Sequence, residues 1–347
     1  MNLEMTILSN GGARRITSAL IMACIVAAGH TSRAIAQTGK TVRGSQAATR
    51  SGSKTSTKRS TKASAKEPTA KKRVFDEPPW PADLPTPLPG AVLPAKRIVA
   101  FYGNPKSRRM GILGEFDHDD MLRKLDAEVA AWNRIDPAHP AQPALHLIVL
   151  VADATPGPSG KYRTRHDSAT IEKVYRWARS RNALLFVDLQ VGQSTLQAEL
   201  PWIEKFLVRP DVHLGIDPEF SMKNGGIPGR RVGTYDAADV NFASRYLARL
   251  VDEHQLPPKI LVVHRFTPGG VTNTAKIALD PRVQVVMDMD GFGPPWMKRD
   301  TYWRDIKREP VQFTGWKQFT KLRNDNPPTP RGDILRLWPV PLYIQIQ

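Results

Sequence analysis

Two carboxylates stand close together in His213-Leu-Gly-Ile-Asp-Pro-Glu-Phe220, where an apolar β-strand pattern runs into polar residues. Side chains alternate along a strand, so Asp217 and Glu219 are expected on one face at its C-terminal end. Pro218 cannot donate a hydrogen bond to a sheet ladder, which predicts that the strand ends there. A carboxyl group beside a second one, in a partly desolvated cleft, keeps its proton to higher pH. Glu219 is therefore the candidate general acid, and Asp217 assists it.

Other polar residues also fall at the ends of predicted strands. Asp188 and Asp290 are further candidates for the base, the nucleophile or an electrostatic stabiliser of an oxocarbenium-like transition state. The candidate substrate-binding residues at these ends are Tyr102, Gln190, His264, Asp288 and Lys317. His264 alone is equally typical of a hydrogen-bonded core histidine. In the non-functional alternative, Asp217 and Glu219 bind loop amides or form a salt bridge with Lys317 or Arg230.

An aromatic loop, punctuated by glycine and proline, follows the sixth predicted strand and contains Phe292 and Trp296. Aromatic faces suit the apolar side of pyranose rings, so both rings are candidates for a sugar-stacking platform. Packing of the loop against the rim of the fold is an equally good interpretation, and the sequence leaves both open.

Eight apolar runs must position these residues, and they alternate with helical patterns between residues 95 and 347. The predicted strands are Arg97–Gly103, Leu145–Ala152, Leu184–Gln190, Val212–Glu219, Lys259–Phe266, Val283–Asp290, Val311–Gly315 and Leu342–Ile346. The clear helical patterns are Asp119–Asn133, Ser168–Arg181, Thr195–Val208 and Ala237–His254, and the weaker ones are Thr272–Leu279, Asp300–Arg308 and Arg331–Leu337.

This order predicts an α/β fold, a (β/α)8 TIM-type barrel, because eight strand units over about 250 residues are its usual size. A doubly wound open sheet is the rival fold. Eight units without a glycine-rich phosphate turn favour closure. In such a barrel the C-terminal strand ends surround a single mouth, where the chemistry takes place. The candidate residues are therefore expected to line that mouth.

The first 94 residues differ in character from the barrel region. Residues 1–36 resemble a secretory signal peptide, with Arg14 and Arg15 before an apolar run and Ala34-Ile-Ala36 as a cleavage site. An uncleaved N-terminal anchor is the alternative. Residues 37–77 form a Ser/Thr/Lys-rich basic segment that is predicted to be disordered, and residues 78–94 form a Pro-rich linker. We expect an exported protein that is periplasmic, on the cell surface or extracellular.

The charge is concentrated in the basic segment. The formal net charge of +17 divides into +2 for residues 1–36, +10 for residues 37–73 and +5 for the remainder. A specific nucleic-acid partner is therefore not expected from the high pI. Residues 37–73 are either a tether to an anionic envelope surface or a solvated spacer.

Metal, cofactor and nucleophile motifs are weak in this sequence. Asp188, Asp217, His264 and Asp288 offer ligands for a divalent ion, but no His-x-His or paired-histidine spacing accompanies them. We therefore expect no metal and no other cofactor. No Gly-x-Ser-x-Gly elbow occurs, and the single cysteine, Cys24, lies in the signal-like segment. The apolar run there is too short for a comfortable membrane span, so no transmembrane bundle is expected.

Five short motifs together resemble a group of exported bacterial proteins with a glycoside-hydrolase-like appearance and no assigned activity. The motifs are Phe186-Val-Asp-Leu-Gln190, Gly215-Ile-Asp-Pro-Glu-Phe220, Val262-Val-His264, Met289-Asp-Gly-Phe-Gly-Pro-Pro295 and Gly315-Trp-Lys317. The resemblance covers roughly residues 95–347. It implies a (β/α)8 barrel and a shared importance of Asp188, Asp217, Glu219, His264 and Asp290.

The Asp-x-Glu element is also similar to that of substrate-assisted hydrolases of N-acetyl sugars. There the Asp orients the acetamido group and the Glu is the acid. We expect a glycoside-hydrolase-like protein that acts on a carbohydrate, such as a cell-envelope glycan, by carboxylate acid/base chemistry. The alternative is a non-catalytic glycan-binding or cell-envelope structural protein that uses the mouth as a binding cleft. Acids that are locked in salt bridges would favour this alternative.

Overall fold

The computed structural model describes residues 5–7, 14–16, 84–321 and 324–347. Eight parallel strands form a closed barrel, since each pairs with the next along the chain and the last pairs with the first. They are β1 (Arg97–Gly103), β2 (Ala141–Ala152), β3 (Leu184–Leu189), β4 (Val212–Ile216), β5 (Lys259–Arg265), β6 (Val283–Met289), β7 (Phe313–Gln318) and β8 (Tyr343–Ile346). Helical segments lie between the strands, so the predicted (β/α)8 barrel is confirmed.

The helices between the strands vary greatly in length. They are α1 (His118–Ile135), α2 (Ser168–Arg179), α3 (Leu196–Leu207), α4 (Ala237–His254), α5 (Pro295–Tyr302) and α6 (Arg331–Ile334). The first four agree with the predicted helices to within two residues. Side chains cap three of them: Asp167 accepts from the N–H of Thr170, Thr195 accepts from the N–H of Ala198, and Asp236 forms a capping box with Asp239.

The three weaker helix predictions were wrong in part. The segment predicted as helix Thr272–Leu279 instead contains the end of a short strand, at Thr272, and a 3-10 turn at Thr274–Lys276. The reason is that Asn273 takes a left-handed backbone (φ +55°), which an α-helix excludes. Helix α5 begins at Pro295, since proline suits a first helical turn, and a π turn follows at Trp303–Lys307. Helix α6 is a single turn.

Short elements supplement the barrel. One helical turn, Ile112–Glu115, precedes α1, and 3-10 turns occupy Pro218–Phe220 and Pro268–Gly270. The short strand Arg163–Arg165 pairs with β2. Two further pairs of short strands are Tyr235–Asp236 with Val271–Thr272 and Met5–Ile7 with Arg14–Ile16.

Two apolar cores hold the barrel together. The outer core lies between strands and helices, and the inner core fills the N-terminal half of the barrel interior with residues such as Ala144, Phe186, Val262 and Val286. Alternation along each strand separates the two sets of side chains. The inner core leaves the C-terminal half of the interior to polar side chains.

The chain before β1 forms the floor of the barrel. Leu93 is fully buried, and its N–H and carbonyl both bind the side-chain amide of Gln284 on β6. The last residues of the predicted Pro-rich linker thus belong to the barrel. The signal-like segment beyond its two short strands, the basic segment and the linker up to residue 83 lie outside the described residues. Among the residues that the structure describes, no helix combines the length and apolar character needed to cross a membrane.

Candidate active site

The candidate site begins where the inner core ends, near the C-terminal ends of the strands. The strand register places Asp188 of β3 beside Gly215 of β4, and Asp288 of β6 beside both His264 of β5 and Gly315 of β7. The two glycines are required by crowding. A Cβ atom on Gly215 would lie closer than 3.0 Å to Asp188, and one on Gly315 would lie closer than 3.0 Å to Asp288. Glycine in the barrel wall therefore makes room for carboxylates inside it.

The two acids of β4 occupy different positions from those predicted. The strand ends at Ile216, and Asp217 caps the 3-10 turn Pro218–Phe220 by accepting a hydrogen bond from the N–H of Glu219 (3.2 Å). Proline is favoured in such a first turn. The prediction that Asp217 and Glu219 share a strand face was wrong, because the chain leaves the sheet between them.

Asp217 is buried, whereas Glu219 is partly exposed at the mouth. Gln190 donates a hydrogen bond to the second oxygen of Asp217 (3.3 Å) and also bonds the N–H of Ala152 through its carbonyl oxygen (3.1 Å). The side chain of Glu219 has no hydrogen-bond partner within the described ranges 84–321 and 324–347. Within the described residues, Glu219 is thus the partly exposed acid of the pair, and its carboxyl group lacks a hydrogen-bond partner.

Asp188 lies at the centre of the cluster and is fully buried. The hydroxyl of Tyr102 donates to its Oδ2 atom (3.1 Å). Its Oδ1 atom lies 3.6 Å from Nε2 of His146 and 3.5 Å from Nε2 of His264. The three strands β2, β3 and β5 therefore converge on one carboxylate oxygen.

Asp290 anchors the other side of the cluster. Both of its oxygens lie 3.1 Å from Nδ1 of His264, and Oδ2 accepts a hydrogen bond from the ammonium group of Lys317 (2.9 Å). That ammonium group also lies 4.6 Å from the centre of the Tyr102 ring, within cation–π range. Asp288 lies 3.7 Å from the same Nδ1 atom and is fully buried.

Burial and neighbouring charges divide these acids into two classes. Burial raises the pKa of Asp217 to about 7, against the opposing attraction of His264. Burial, together with the charge of Asp217, raises the pKa of Glu219 to about 8. Burial and the charge of Asp290 raise the pKa of Asp288 well above its usual value. At neutral pH Glu219 and Asp288 therefore favour the protonated state, and Asp217 is close to its midpoint.

The remaining acids are ionised and balanced by cations. Burial opposes ionisation of Asp188 and Asp290, but the positive charge of His264 holds the pKa of both below the usual range. Burial by itself would lower the pKa of His264. The negative charges of Asp290 and Asp188 outweigh this effect, so the pKa of His264 is raised well above its usual value. The pKa of Lys317 is likewise raised, since Asp290 overcomes the effect of burial. Two anions and two cations thus share the interior.

Two residues of the cluster, His146 and Tyr343, were missed by the sequence prediction, and Gln345 was expected only as one of two alternative polar residues, Gln345 or Gln347, at the end of the eighth strand. His146 is fully buried, its Nδ1 atom lies 2.5 Å from the hydroxyl oxygen of Tyr343, and burial lowers its pKa to about 4. The amide nitrogen of Gln345 lies 3.2 Å from Nδ1 of His146 and 3.2 Å from the hydroxyl oxygen of Tyr343. The signal for His146 is a lone polar residue at an inward position of an apolar strand. Tyr343 and Gln345 share the inward face of β8.

The two aromatic residues predicted to stack on sugar lie in different environments. Phe292 stacks on Phe266 (6.0 Å between ring centres, 18° between planes) and meets Phe319 edge-on, so it packs the loop. Trp296 is 57% exposed at the start of α5. The structure thus brings together the predicted residues Tyr102, Asp188, Gln190, Asp217, His264, Asp288, Asp290 and Lys317. Glu219 lies above them, and Trp296 stands apart.

Comparisons with known proteins provide no family for this chain: no protein-family model matches it, and no curated protein is similar to it.

Proposed function

We propose that the protein is an exported glycoside-hydrolase-like enzyme that acts on a carbohydrate, with Glu219 as the proton donor at the mouth of the barrel. The observation that carries the proposal is the pairing, after the C-terminal end of β4, of a buried Asp217 with a partly exposed Glu219 whose carboxyl group has no hydrogen-bond partner among the described residues. In barrels of this type the reacting groups lie at that end of the strands.

Glu219 meets the physical requirements for a general acid. A donor must be protonated near the working pH and must reach the leaving-group oxygen of the substrate. Burial and the nearby Asp217 favour its proton, and its 3-10 turn follows the C-terminal end of β4. Asp217 is fixed by Gln190 and by the N–H of Glu219, so it is suited to orient a polar substituent of the sugar.

The deeper residues support this pair. Asp188 is fixed by Tyr102, and Asp290 is fixed by His264 and Lys317. Such buried networks position the groups above them with little freedom, which lowers the cost of orienting a substrate. We assign Asp188 and Asp290 to this supporting role, next to the substrate-facing Asp217 and Glu219.

A second candidate function, non-catalytic glycan binding, is favoured by a different observation. Asp188 and Asp290 are almost completely buried and are held in ion pairs or hydrogen bonds, which is typical of a structural network. The exposed Trp296 would then be a principal contact for the glycan.

An assay of reducing-end release from peptidoglycan and a panel of envelope polysaccharides tests the proposal. Glu219→Gln removes the donated proton at nearly constant size, and we expect it to lower the rate about 100- to 10,000-fold with binding retained in a pull-down. Glu253→Gln, which changes a glutamate on the exposed end of α4, is the matched control and should keep the wild-type rate. If wild type and Glu219→Gln both bind and neither releases sugar, the binding function replaces the catalytic one.

Export rests on the signal-like residues 1–36, and attachment to an anionic envelope surface rests on the basic residues 37–73. N-terminal sequencing of the protein from fractionated cells tests the first proposal. A mature chain that begins at Gln37 supports cleavage, whereas an intact Met1 in the membrane fraction supports the anchor. Salt washing of the envelope fraction tests the second proposal. Salt should release the mature protein from the envelope, whereas a variant without residues 37–73 should not be bound there at low salt.

A further inference from the structure

Three buried polar atoms in the barrel interior face one another and have no hydrogen bond to any residue that the structure describes. They are Nε2 of His146, Oδ1 of Asp188 and Nε2 of His264, and the three side chains are at most 1% exposed. An unpaired polar atom in such a place costs free energy, so three of them at one point require an explanation.

The separations do not fit direct hydrogen bonds. Asp188 Oδ1 lies 3.6 Å from His146 Nε2 and 3.5 Å from His264 Nε2, beyond the usual 2.7–3.2 Å range for N–H···O bonds. These nitrogen–oxygen separations are those expected between two ligand atoms that bind the same metal ion. With bonds of about 2.0–2.1 Å to nitrogen and oxygen, tetrahedral ligands lie about 3.4 Å apart, whereas octahedral neighbours lie about 3 Å apart. All three atoms lie within 4.8 Å of one another.

The outer contacts orient both histidines for this role. Nδ1 of His264 bonds Asp290, and Nδ1 of His146 lies within hydrogen-bond distance of the Tyr343 hydroxyl and of the Gln345 amide nitrogen, which fix its ring. A histidine whose Nδ1 proton is donated to a carboxylate can present its Nε2 lone pair to an ion, and an ion at Nε2 of His264 would displace the proton that this nitrogen carries in its absence. Tyr102 fixes Asp188 through its other oxygen, which leaves Oδ1 free.

We propose that His146, Asp188 and His264 bind a divalent transition-metal ion of the zinc type, with a fourth position left for water. Two imidazole nitrogens and one carboxylate oxygen suit zinc better than magnesium or calcium, which prefer oxygen ligands alone. Gly215 leaves space in the barrel wall next to two of the ligands, since a Cβ there would lie closer than 3.0 Å to His146 and to Asp188.

This site differs from a second nearby group of potential ligands. His264, Asp288 and Asp290 also lie together, but there the histidine would use Nδ1, which already bonds Asp290, and Asp290 also bonds Lys317. Of these two groups within the described residues, the first is the one in which every ligand atom lacks a hydrogen bond, whereas the second has unpaired oxygens only on Asp288. The absence of His-x-His spacing in the sequence does not bear on it, because its ligands come from three separate strands.

Metal content tests this inference independently of any hydrolysis. The untagged protein is treated with a chelator, equilibrated with Zn²⁺, passed through gel filtration and analysed by mass spectrometry for zinc. We expect about one ion per chain for wild type, and loss of most of it in His146→Gln, Asp188→Asn and His264→Gln. His213→Gln is the matched control, because His213 is a buried histidine of β4 outside the cluster. Glu219→Gln should also keep its zinc, which separates this test from the proposed function.

A second measurement covers variants that fail to fold. Wild-type protein loaded with Co²⁺ should show the intense visible absorption of a four-coordinate ion, and excess Zn²⁺ should remove it. Wild type that binds neither ion, or folded ligand variants that keep a full equivalent of zinc, would overturn the proposal. In that case a protonated His264 shared between Asp188 and Asp290 accounts for the cluster.

Discussion

The Nδ1 atom of His264 lies 3.1 Å from both carboxylate oxygens of Asp290. The contact joins the ends of β5 and β6, and Lys317 joins β7 to the same carboxylate (2.9 Å). Three consecutive barrel strands are thus tied together at one buried anion. The contact also sets which nitrogen of His264 faces the interior.

Removal of this anion should strongly destabilise the barrel. We expect Asp290→Asn to lower the free energy of unfolding by about 3–5 kcal/mol, because it leaves the Lys317 ammonium group buried without its partner. Urea denaturation followed by circular dichroism measures the change. The exposed pair between Asp333 and Arg336 is the control, and Asp333→Asn should cost less than about 0.5 kcal/mol. Equal effects of the two substitutions would contradict the role of Asp290.

Gly215 should be intolerant of a single added carbon. We expect Gly215→Ala to cost about 1–3 kcal/mol in unfolding free energy, since the new Cβ would overlap His146 and Asp188. Gly332→Ala on α6 is the matched control, because nothing lies within 4 Å of its added carbon. The same denaturation experiment compares them, and a neutral Gly215→Ala would show that the interior layer relaxes freely.

The pH dependence of stability should reveal the proton on Glu219. Its folded pKa is about 8 and its ordinary value is 4.5, so between these values the folded state binds more protons than the unfolded state. Stability from this group is complete below about pH 4.5 and is lost as the pH rises through 8. The difference in unfolding free energy between wild type and Glu219→Gln should therefore fall from pH 5 to pH 8.5. Glu253→Gln is the control for loss of a glutamate outside the mouth, and the same fall with both variants would contradict the assignment to Glu219.

Phe292, in the β6–α5 loop, should matter for stability, and Trp296, at the start of α5, should matter for binding. Phe292→Ala should lower the free energy of unfolding by about 1–3 kcal/mol, because it removes a ring that packs on Phe266 and Phe319. Trp296→Ala should change it by less than about 0.5 kcal/mol and weaken polysaccharide binding on the order of tenfold. Unchanged binding by Trp296→Ala would remove this residue from the glycan surface.

The fold was predictable from sequence because its signals are repeated. Each strand combines an apolar run with a polar end, and helices α1 to α4 carry strong 3.6-residue periodicity. Asn273 is an exception: its left-handed backbone replaces a predicted helix by a turn. A single residue of this kind alters one connection and leaves the order of the strands intact.

The site was predictable only in part. Parallel strands bring their C-terminal ends together, so the proximity of Asp188, His264 and Asp290 followed from the barrel itself. His146 was missed because a lone histidine within an apolar strand is usually a core residue. The Glu219 position was missed because Pro218 ends the strand by starting a 3-10 turn, and a period-two pattern does not distinguish a turn from a strand end.

Direct titration of Glu219 tests the central claim, that a neutral acid stands at the mouth. Carbon-13 spectra of glutamate-labelled protein would be recorded across pH, and the signal missing from Glu219→Gln would identify its carboxyl carbon. The structure predicts a midpoint near pH 8. A midpoint near 4.5, the ordinary value for glutamic acid, would mean that Glu219 is ionised at neutral pH and would contradict its role as the proton donor.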